Sequence, residues 1–552
     1  MNYDVIVIGS GAGGLTTAIV AALVGLKVLV VEKTSSFGGT TALSGGAPWI
    51  PNNRHMAALG QEDSVDAAKA YLRSVLGNYY NETKVSAYLE SGPEMIAYLE
   101  DNTDVLFYPV PIPDYMPGNP GARAGRTMLT REYDGRALGS MIRQLRNPLP
   151  GFAAFGTFQV DPMDLGRFKK AFRTWDGFTL AGKRMVSFLL GKLRYGKGTH
   201  LANGNALAGR LLKSANDAGV ELWADAPVSS LTVEDGRVVG ATALRAGKPV
   251  ELRARRAVVL ATGGFGGNKE MTARAMPMPQ VHVSVHPEGN VGDGLKLGQF
   301  AGGVMGESNP DNGVWAPVSV LRDADGKILA KYPHFGPDRA KPGSIIVGPD
   351  GKRFVNEAAP YQPFVNTMHD RGIEKAWFIA SHSYLRNYGM GLALPAPLPF
   401  RKFVRNGYLI EAPTLDKLAR KIGVDPATLA ATVSVYNANV VKGIDPEFQR
   451  GQTSYDHSQG DFETSGHPNL GPVGEGPYYA LALYPGDVSS VHGLETSCDS
   501  QVLDADGKAI PGLYAVGLDQ NTVMRGFYPG GGSGIGPAMT FGYRAARHIA
   551  AA

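Results

Sequence analysis

The chain has 552 residues, 43% hydrophobic and 19% charged, a globular composition that excludes a disordered or fibrous protein and leaves room for several domains. Its net charge of +4 is too small to mark a nucleic-acid binder. The single cysteine, Cys498, excludes an intramolecular disulfide framework and a cysteine-ligated metal site, and it suits a reducing compartment. Glycine is the outlier: 72 residues, about 13% against a usual ~7%, with no G-X-Y repeat. Such an excess predicts backbone brought close to a large ligand.

Residues 1–4 carry no basic leader or cleavage site and run directly into an apolar strand at 5–8, which predicts a cytoplasmic protein. Residues 15–31 approach the length of a membrane span. Gly25 and Lys27 interrupt them and Glu32 ends them, so they read as a helix followed by a strand. Residues 4–32 therefore form one βαβ unit. Residues 64–101 have amphipathic helical spacing with Ser64 as N-cap, and 206–219 form another helix. A meander of strands follows at 228–233, 237–244, 250–253 and 257–261, with Asp235-Gly236 as a hairpin turn. Residues 282–484 are less regular and richer in proline and aromatics, with Asp-Gly turns at 325–326 and 350–351. After 485 the pattern returns: a turn at Asp506-Gly507, a strand at 512–516, a glycine loop and a helix at 537–551. The expected fold is α/β: a Rossmann-like dinucleotide domain, βαβ plus meander, split into 1–281 and 485–552 around an inserted α+β domain at 282–484.

Gly9-Ser10-Gly11-Ala12-Gly13-Gly14 fits G-x-G-x-x-G in the required context, after a strand, opening a helix, and with Glu32 ending the next strand. Gly9 allows the tight turn, Gly11 lets the backbone approach a pyrophosphate, and Gly14 lets helix and strand pack. The helix N-terminus faces the anion, and Glu32 can accept hydrogen bonds from ribose hydroxyls. NAD and FAD both use this fingerprint. A second cluster of small and hydroxyl residues, 38–46, suits a flat ring system, and no second fingerprint of this kind occurs, so FAD is favoured. Tyr528-Pro529-Gly530-Gly531-Gly532-Ser533-Gly534-Ile535-Gly536-Pro537 leads into the last helix. Its free N–H groups and helix dipole would stabilise negative charge on reduced flavin.

These motifs, together with Ala261-Thr262-Gly263-Gly264 and Pro511-Gly512-Leu513-Tyr514-Ala515-Val516-Gly517, resemble the fumarate reductase/succinate dehydrogenase-type flavoprotein superfamily. Pro113-Asp114-Tyr115, Glu357-Ala358-Ala359-Pro360-Tyr361 and Tyr528-Pro529-Gly530 are similar to the 3-ketosteroid Δ1-dehydrogenases within it. The resemblance covers essentially the whole chain. One departure is Leu518, where the family commonly has Asn, which removes one expected flavin hydrogen bond.

The resemblance implies an enzyme that desaturates C1–C2 of a 3-ketosteroid with FAD. Tyr528 and the Gly532 N–H would hold the C3 oxygen as an oxyanion hole. Tyr361, supported by Tyr115, would take the C2 proton while the C1 hydride goes to flavin N5. Tyrosine's reference pKa of ~10 then implies a neutral-to-alkaline optimum.

Candidate cofactor positions are Gly9, Gly11, Ala12, Gly13, Gly14, Glu32 and Lys33. The second cluster adds Gly38, Gly39, Thr40, Thr41, Ser44, Gly45 and Gly46. Val228, Ala261, Gly263, Gly517, Gly534 and Ile535 complete the set. FAD is expected to be non-covalent, since 38–46 lacks the histidine found in covalently flavinylated relatives. The expected partners are a 3-ketosteroid and an electron acceptor such as a quinone, without nucleic acid.

No metal site is expected. His282 and His286 alternate as on a strand, which puts their side chains ~13 Å apart. Ser44 and Ser533 lack a hydrolase elbow. Arg353 could grip a carboxylate, as the dicarboxylate reductases of the superfamily require, but the tyrosine-glycine motif suits a neutral carbonyl. Residues 167–198 hold nine basic residues against Asp176 alone, interleaved with aromatics and leucines. They read either as a peripheral membrane contact or as a cap packed on its own domain. The rival functions are a Δ4-(5α) ketosteroid dehydrogenase, a fumarate-reductase-like ene reductase and a flavin or lipid carrier without turnover.

Overall fold

In the computed structural model, which describes residues 1–160, 164–169, 174–464 and 466–552, the first apolar run becomes the strand Asn2–Ile8. It pairs in parallel with Val28–Val31 on one side and Lys248–Leu260 on the other. Val5, Ile6 and Val7 are fully buried, as are Leu29 and Val30. Both faces of this sheet are covered, so its strands are continuously apolar instead of alternating. Each such side chain contributes roughly 1.5–3 kcal/mol on burial. The strand order is Gln501–Leu503, Ala509–Ala515, Lys248–Leu260, Asn2–Ile8, Val28–Val31, Glu221–Trp223.

The meander Val228–Glu234, Arg237–Arg245, Lys248–Leu260 hangs from this sheet. Asp235 and Gly236 turn its first hairpin with φ of +49° and +75°. Lys248–Leu260 is one strand where two were expected. Its first half pairs antiparallel with Arg237–Arg245, and its second half crosses into the parallel sheet. The alternating exposed charges Glu251, Arg253 and Arg255 disguise that continuity. The long amphipathic stretch is two helices, Val65–Leu76 and Glu82–Asn102. Ser64 and Asn81 cap them, and Gly77 at φ +52° separates them.

The chain forms two units, described here one by one. The first comprises Met1–Ala275, His286–Gly313 and Ser489–Ala552. Residues 286–313, expected in the inserted part, lie here because the helix Asp293–Phe300 packs through Gly298 against Leu494 and Leu260. The second unit comprises Met276–Val285 and Val314–Val488. Its sheet runs Ile328–Pro333, Gly313–Arg322, Tyr478–Ser490, Ala376–Ser381, Ser344–Val347. The helices Leu415–Ile422 and Pro426–Val440 cover Ile345, Val347, Trp377 and Ile379. This is the expected mixed α/β class. In the basic stretch noted above, Lys170, Phe172 and Arg173 fall outside the described residues.

Gly9 shows what holds the first unit's centre together. Its φ is +111°, and a Cβ there would lie 2.1 Å from the Ala261 carbonyl oxygen. Gly407 is also left-handed, at φ +78°, but a Cβ there would meet nothing within 4 Å. Gly407→Ala should therefore cost only about 1–2 kcal/mol of backbone strain. Gly9→Ala should cost clearly more and should lose flavin. Chemical denaturation and flavin content of the two variants check this, and equal losses would refute the steric argument.

Candidate active site

The parallel strands end together at Ile8, Val31, Leu260 and Ala515, and their carboxyl edge carries the glycine segments. The helix Ala12–Leu23 starts at Gly11 with no capping side chain of its own and no acid in its first turn. The helix Ile535–Ala551 starts in the same way at Gly534. The two helices approach closely. A Cβ on Gly13 would sit 3.0 Å from Ala538 O and 3.2 Å from Gly517 N, and one on Gly542 would sit 2.6 Å from Gly13 O. A Cβ on Gly14 would strike Gly9 O at 2.4 Å. By contrast, a Cβ on Gly517 or Gly534 would meet nothing within 4 Å, and one on Gly11 only Thr41 Oγ1 at 3.8 Å. Packing glycines thus alternate with glycines that face open space beside two helix N-termini. That arrangement fits a dinucleotide diphosphate.

The remaining candidate positions frame that cradle. Glu32, buried, accepts hydrogen bonds from Ser10 Oγ (2.6 Å) and from Thr34 N (3.0 Å). Its two oxygens have about four acceptor sites, which leaves capacity for ribose hydroxyls. Lys33 pairs with Asp293 at 2.6 Å. In the second cluster, Gly38 and Gly39 are left-handed at φ +108° and +48°. Thr41 Oγ1 accepts from Ala12 N (2.9 Å), and Thr40 Oγ1 accepts from Asn290 Nδ2 (3.0 Å). Ser44 Oγ donates to Thr41 O and accepts from Gly46 N, while Gly45 is exposed. Val228 opens a meander strand, and the Gly263 carbonyl accepts from Asn290 Nδ2 at 2.7 Å. Ala261 directly follows the strand Lys248–Leu260, and Ile535 is the first residue of its helix. Leu518, in place of the familial Asn, is followed by the fully buried Asp519. Its carboxylate accepts from Thr262 N, Thr262 Oγ1 and Gly264 N, and burial pushes it up to about 6.

Tyr528 and Tyr115 meet in the first unit with ring centroids 5.8 Å apart. The loop between them is pinned from behind. Tyr115 N and Tyr71 Oη both donate to Pro529 O, at 2.9 and 2.6 Å. Thr127 Oγ1 donates to Gly531 O, and Trp49 N to Gly532 O. Gly532 needs φ +103° and would place a Cβ 2.3 Å from Ala47 O. The Gly530 N–H is taken by Ser533 Oγ, whereas the Gly532 N–H has no acceptor among the described residues.

Under this wall lies a buried ionic cluster that the sequence did not announce. Arg126, fully buried, donates to both oxygens of Asp63 (2.7 and 2.8 Å), to Asp114 (2.8 Å) and to Gly121 O (2.9 Å). The other Asp114 oxygen accepts from the Trp49 indole at 2.8 Å. Burial pushes Asp114 up to about 6, against the opposing pull of Arg126, the Arg123 N–H and the Trp49 indole. Burial likewise raises the Tyr71 and Tyr88 hydroxyls well above the usual phenol range, so both act as neutral donors. The Pro113-Asp114-Tyr115 motif contained one member of this cluster. Nothing in the local pattern pointed to Asp63 or Arg126.

Tyr361 lies in the second unit, buried, as the first residue of the helix Tyr361–Asp370, with Phe335 edge-on at 5.0 Å. Arg339, fully buried, fixes the preceding loop by donating to His334 O, Glu357 O and Ala359 O. Arg353 donates to Glu357 and Asp445 at 2.7–2.8 Å. Burial alone would lower Arg353, but the two carboxylates raise it. Its charge is spent internally and does not offer a grip to a substrate carboxylate.

The second unit also contains a buried Ser319–His334–Asp338 chain, at 2.8 and 2.5 Å. Tyr408 Oη lies 2.7 Å from Ser319 Oγ, so the serine is enclosed. His282 pairs with Asp487 at 2.6 Å, and His286 Nε2 accepts from Ser490 N. No cluster of three metal-ligating side chains occurs among the described residues.

The FAD binding domain family matches residues 4–535. A 4-oxocyclohex-2-ene-1-carboxylate 5-dehydrogenase of Sinomonas cyclohexanicum is 39% identical over 99% of this chain and 93% of its own length. A 3-oxosteroid 1-dehydrogenase of Mycobacterium tuberculosis is 35% identical over 100% of this chain and 98% of its own. A solved 3-ketosteroid delta1-dehydrogenase from Sterolibacterium denitrificans, in complex with 1,4-androstadiene-3,17-dione, is 36% identical with a TM-score of 0.90. It covers 100% of this chain and 99% of that one.

The ionic cluster predicts a pH dependence. Asp114 titrates at about 6 in the fold and near 3.9 in an unfolded chain. The fold therefore binds more protons between those values, and its stability falls as pH rises through that window. Arg126→Met removes the cation that restrains this rise and leaves two buried carboxylates facing each other. The variant should lose about 3–5 kcal/mol at neutral pH, and the deficit should shrink towards pH 4. Urea denaturation across that range checks it, and a deficit independent of pH would contradict it.

Proposed function

From a chain that belongs to the FAD-binding family of fumarate reductase-type flavoproteins, and is an FAD-dependent oxidoreductase, we propose the 1,2-desaturation of a 3-ketosteroid. FAD, when bound, supplies at N5 the acceptor for the hydride from C1. In this reading the Gly9–Gly14 turn, Glu32 and the 38–46 segment hold the nucleotide, and the 528–536 loop lies towards the ring system. With no histidine in 38–46, the flavin is held without a covalent bond. A quinone-type acceptor completes the turnover.

The protein's own groups polarise the ketone and move one proton. Tyr528 Oη and the Gly532 N–H receive the C3 oxygen, and their donation grows stronger as the enolate forms. That acidifies the C2 hydrogen, which passes to Tyr361, with Tyr115 supporting the transfer. Loss of one proton and one hydride leaves the C1–C2 double bond, so atoms and electrons balance.

One observation carries the choice of a neutral ketone. The cation buried behind the Tyr115–Tyr528 wall, Arg126, is already paired with two carboxylates, Asp63 and Asp114. A second reading, desaturation of a smaller ring ketone bearing a carboxylate, is favoured by the 39% relative. It would need a free cation. A Δ4-(5α) dehydrogenase is separated by the bond that becomes unsaturated.

Two variants test the roles. Tyr528→Phe should lower kcat about 10²–10³-fold, as loss of one oxyanion donor does. Tyr361→Phe should abolish exchange of C2 deuterium from labelled 4-androstene-3,17-dione while binding persists. NMR of the wild-type product should place the new bond between C1 and C2. A Tyr528→Phe enzyme within twofold of wild type, or a product unsaturated at C4–C5, would overturn the proposal.

A further inference from the structure

Polar side chains sealed in a core are tolerated only where each donor meets an acceptor. The second unit holds such a chain, and the chemistry proposed above makes no use of it. Leu392 N, which can only donate, lies 3.0 Å from Tyr408 Oη. Tyr408 Oη is 2.7 Å from Ser319 Oγ, and Ser319 Oγ is 2.8 Å from His334 Nε2. His334 Nδ1 is 2.5 Å from Asp338 Oδ2. Donation that runs one way satisfies every member: Leu392 to Tyr408, Tyr408 to Ser319, Ser319 to Nε2, and the Nδ1 proton to the carboxylate. Ser319 and His334 are fully buried. Burial alone would raise the Asp338 carboxyl, but His334 and Arg339 hold it below the usual range. A hydrolase uses the same three residue types with an open serine, whereas this hydroxyl is spent between Tyr408 and His334.

The chain ends by closing a turn. The His334–Asp338 pair bridges the turn from within, His334 N donates to Pro317 O at 2.8 Å, and Tyr384 Oη donates to Asp338 O. Two arms leave this turn for Tyr361. Phe335 sets its ring edge-on to the Tyr361 ring, 5.0 Å between centroids and 65° between planes. Arg339 donates through Nε to His334 O at 2.9 Å, and through Nη1 and Nη2 to Glu357 O and Ala359 O, in the loop just before Tyr361. Its guanidinium also stands 4.7 Å over the Phe364 ring, on the helix that Tyr361 begins. We propose that Ser319, His334 and Asp338 are positioning residues for Tyr361: by locking the turn they hold Phe335 and Arg339, and through them the phenol, at a fixed reach from the C2 hydrogen. The inference rests on the reading of Tyr361 as the base for that proton. Such precision matters because a misplacement of about 1 Å can cost ~10²-fold in rate.

The test uses the purified holoenzyme and 4-androstene-3,17-dione labelled with deuterium at C2. Asp338→Leu leaves the Nδ1 proton without its acceptor and should lower kcat about 10–10²-fold. KM should stay within about threefold, because the groups that receive the ketone are untouched. Exchange of C2 deuterium should fall in step with kcat, while flavin content and reduction of the flavin by dithionite match the wild type. Asp338→Asn keeps an oxygen acceptor for Nδ1 and should recover the rate to within about threefold of wild type. Phe335→Leu leaves the buried chain intact and removes only the ring set against Tyr361. It should show the same loss of exchange, and it carries the test in the event that Asp338→Leu does not fold. Wild-type exchange in folded Asp338→Leu, or in Phe335→Leu, would overturn the proposal, as would a rise in KM at unchanged kcat. Normal exchange by Tyr361→Phe would instead show that the base itself is misassigned.

Discussion

A guanidinium without access to water sets the character of the ground behind the Tyr115–Tyr528 wall. Arg126 spends its donors on Asp63, Asp114 and the Gly121 carbonyl. Such a cation is tolerable only when every charge is answered, and losing one partner costs far more than the assembled cluster contributes. With two carboxylates to one guanidinium, the ground beneath the Tyr115–Tyr528 wall is negative, not positive, once both acids ionise. Asp114 in turn orients the Trp49 indole, and Trp49 N holds Gly532 O. The position of Gly532 therefore depends, through two contacts, on the buried Arg126–Asp114 salt bridge.

The nucleotide side rests on a different constraint, the closeness of backbone to backbone. Gly9, Gly13, Gly14 and Gly542 leave no room for a Cβ, whereas Gly517 and Gly534 have open space. The first group brings the helices Ala12–Leu23 and Ile535–Ala551 together. The second leaves space beside their N-termini, which have no capping side chain of their own, where an anion is stabilised by free N–H groups and by the dipole. One residue type thus serves both packing and access at this edge of the sheet.

Features with a local physical signature were legible in the sequence. The βαβ turn was readable because only glycine tolerates its backbone. Ser64 was readable as a cap, and Asp235-Gly236 as a hairpin, for equally local reasons. The Arg126 cluster was not, because its partners lie 63 and 12 residues away and an ion pair at such separations leaves no periodic trace. The single strand Lys248–Leu260 was missed because it changes partners midway and its first half alternates while its second is wholly apolar. Tyr361 stood out only through family resemblance. Its loop is fixed by Arg339 and by the Arg353–Glu357 pair, which sequence spacing alone could not assign to that task.

The central claim is that this site desaturates a neutral ring ketone. It is tested most directly by anaerobic stopped-flow reduction of the bound flavin, comparing 4-androstene-3,17-dione with 4-oxocyclohex-2-ene-1-carboxylate. A wall over a net negative cluster should disfavour the anion by several kcal/mol. The account predicts bleaching by the steroid at least about 100-fold more efficiently than by the carboxylate. Reduction by the carboxylate as fast as by the steroid, or faster, would contradict it.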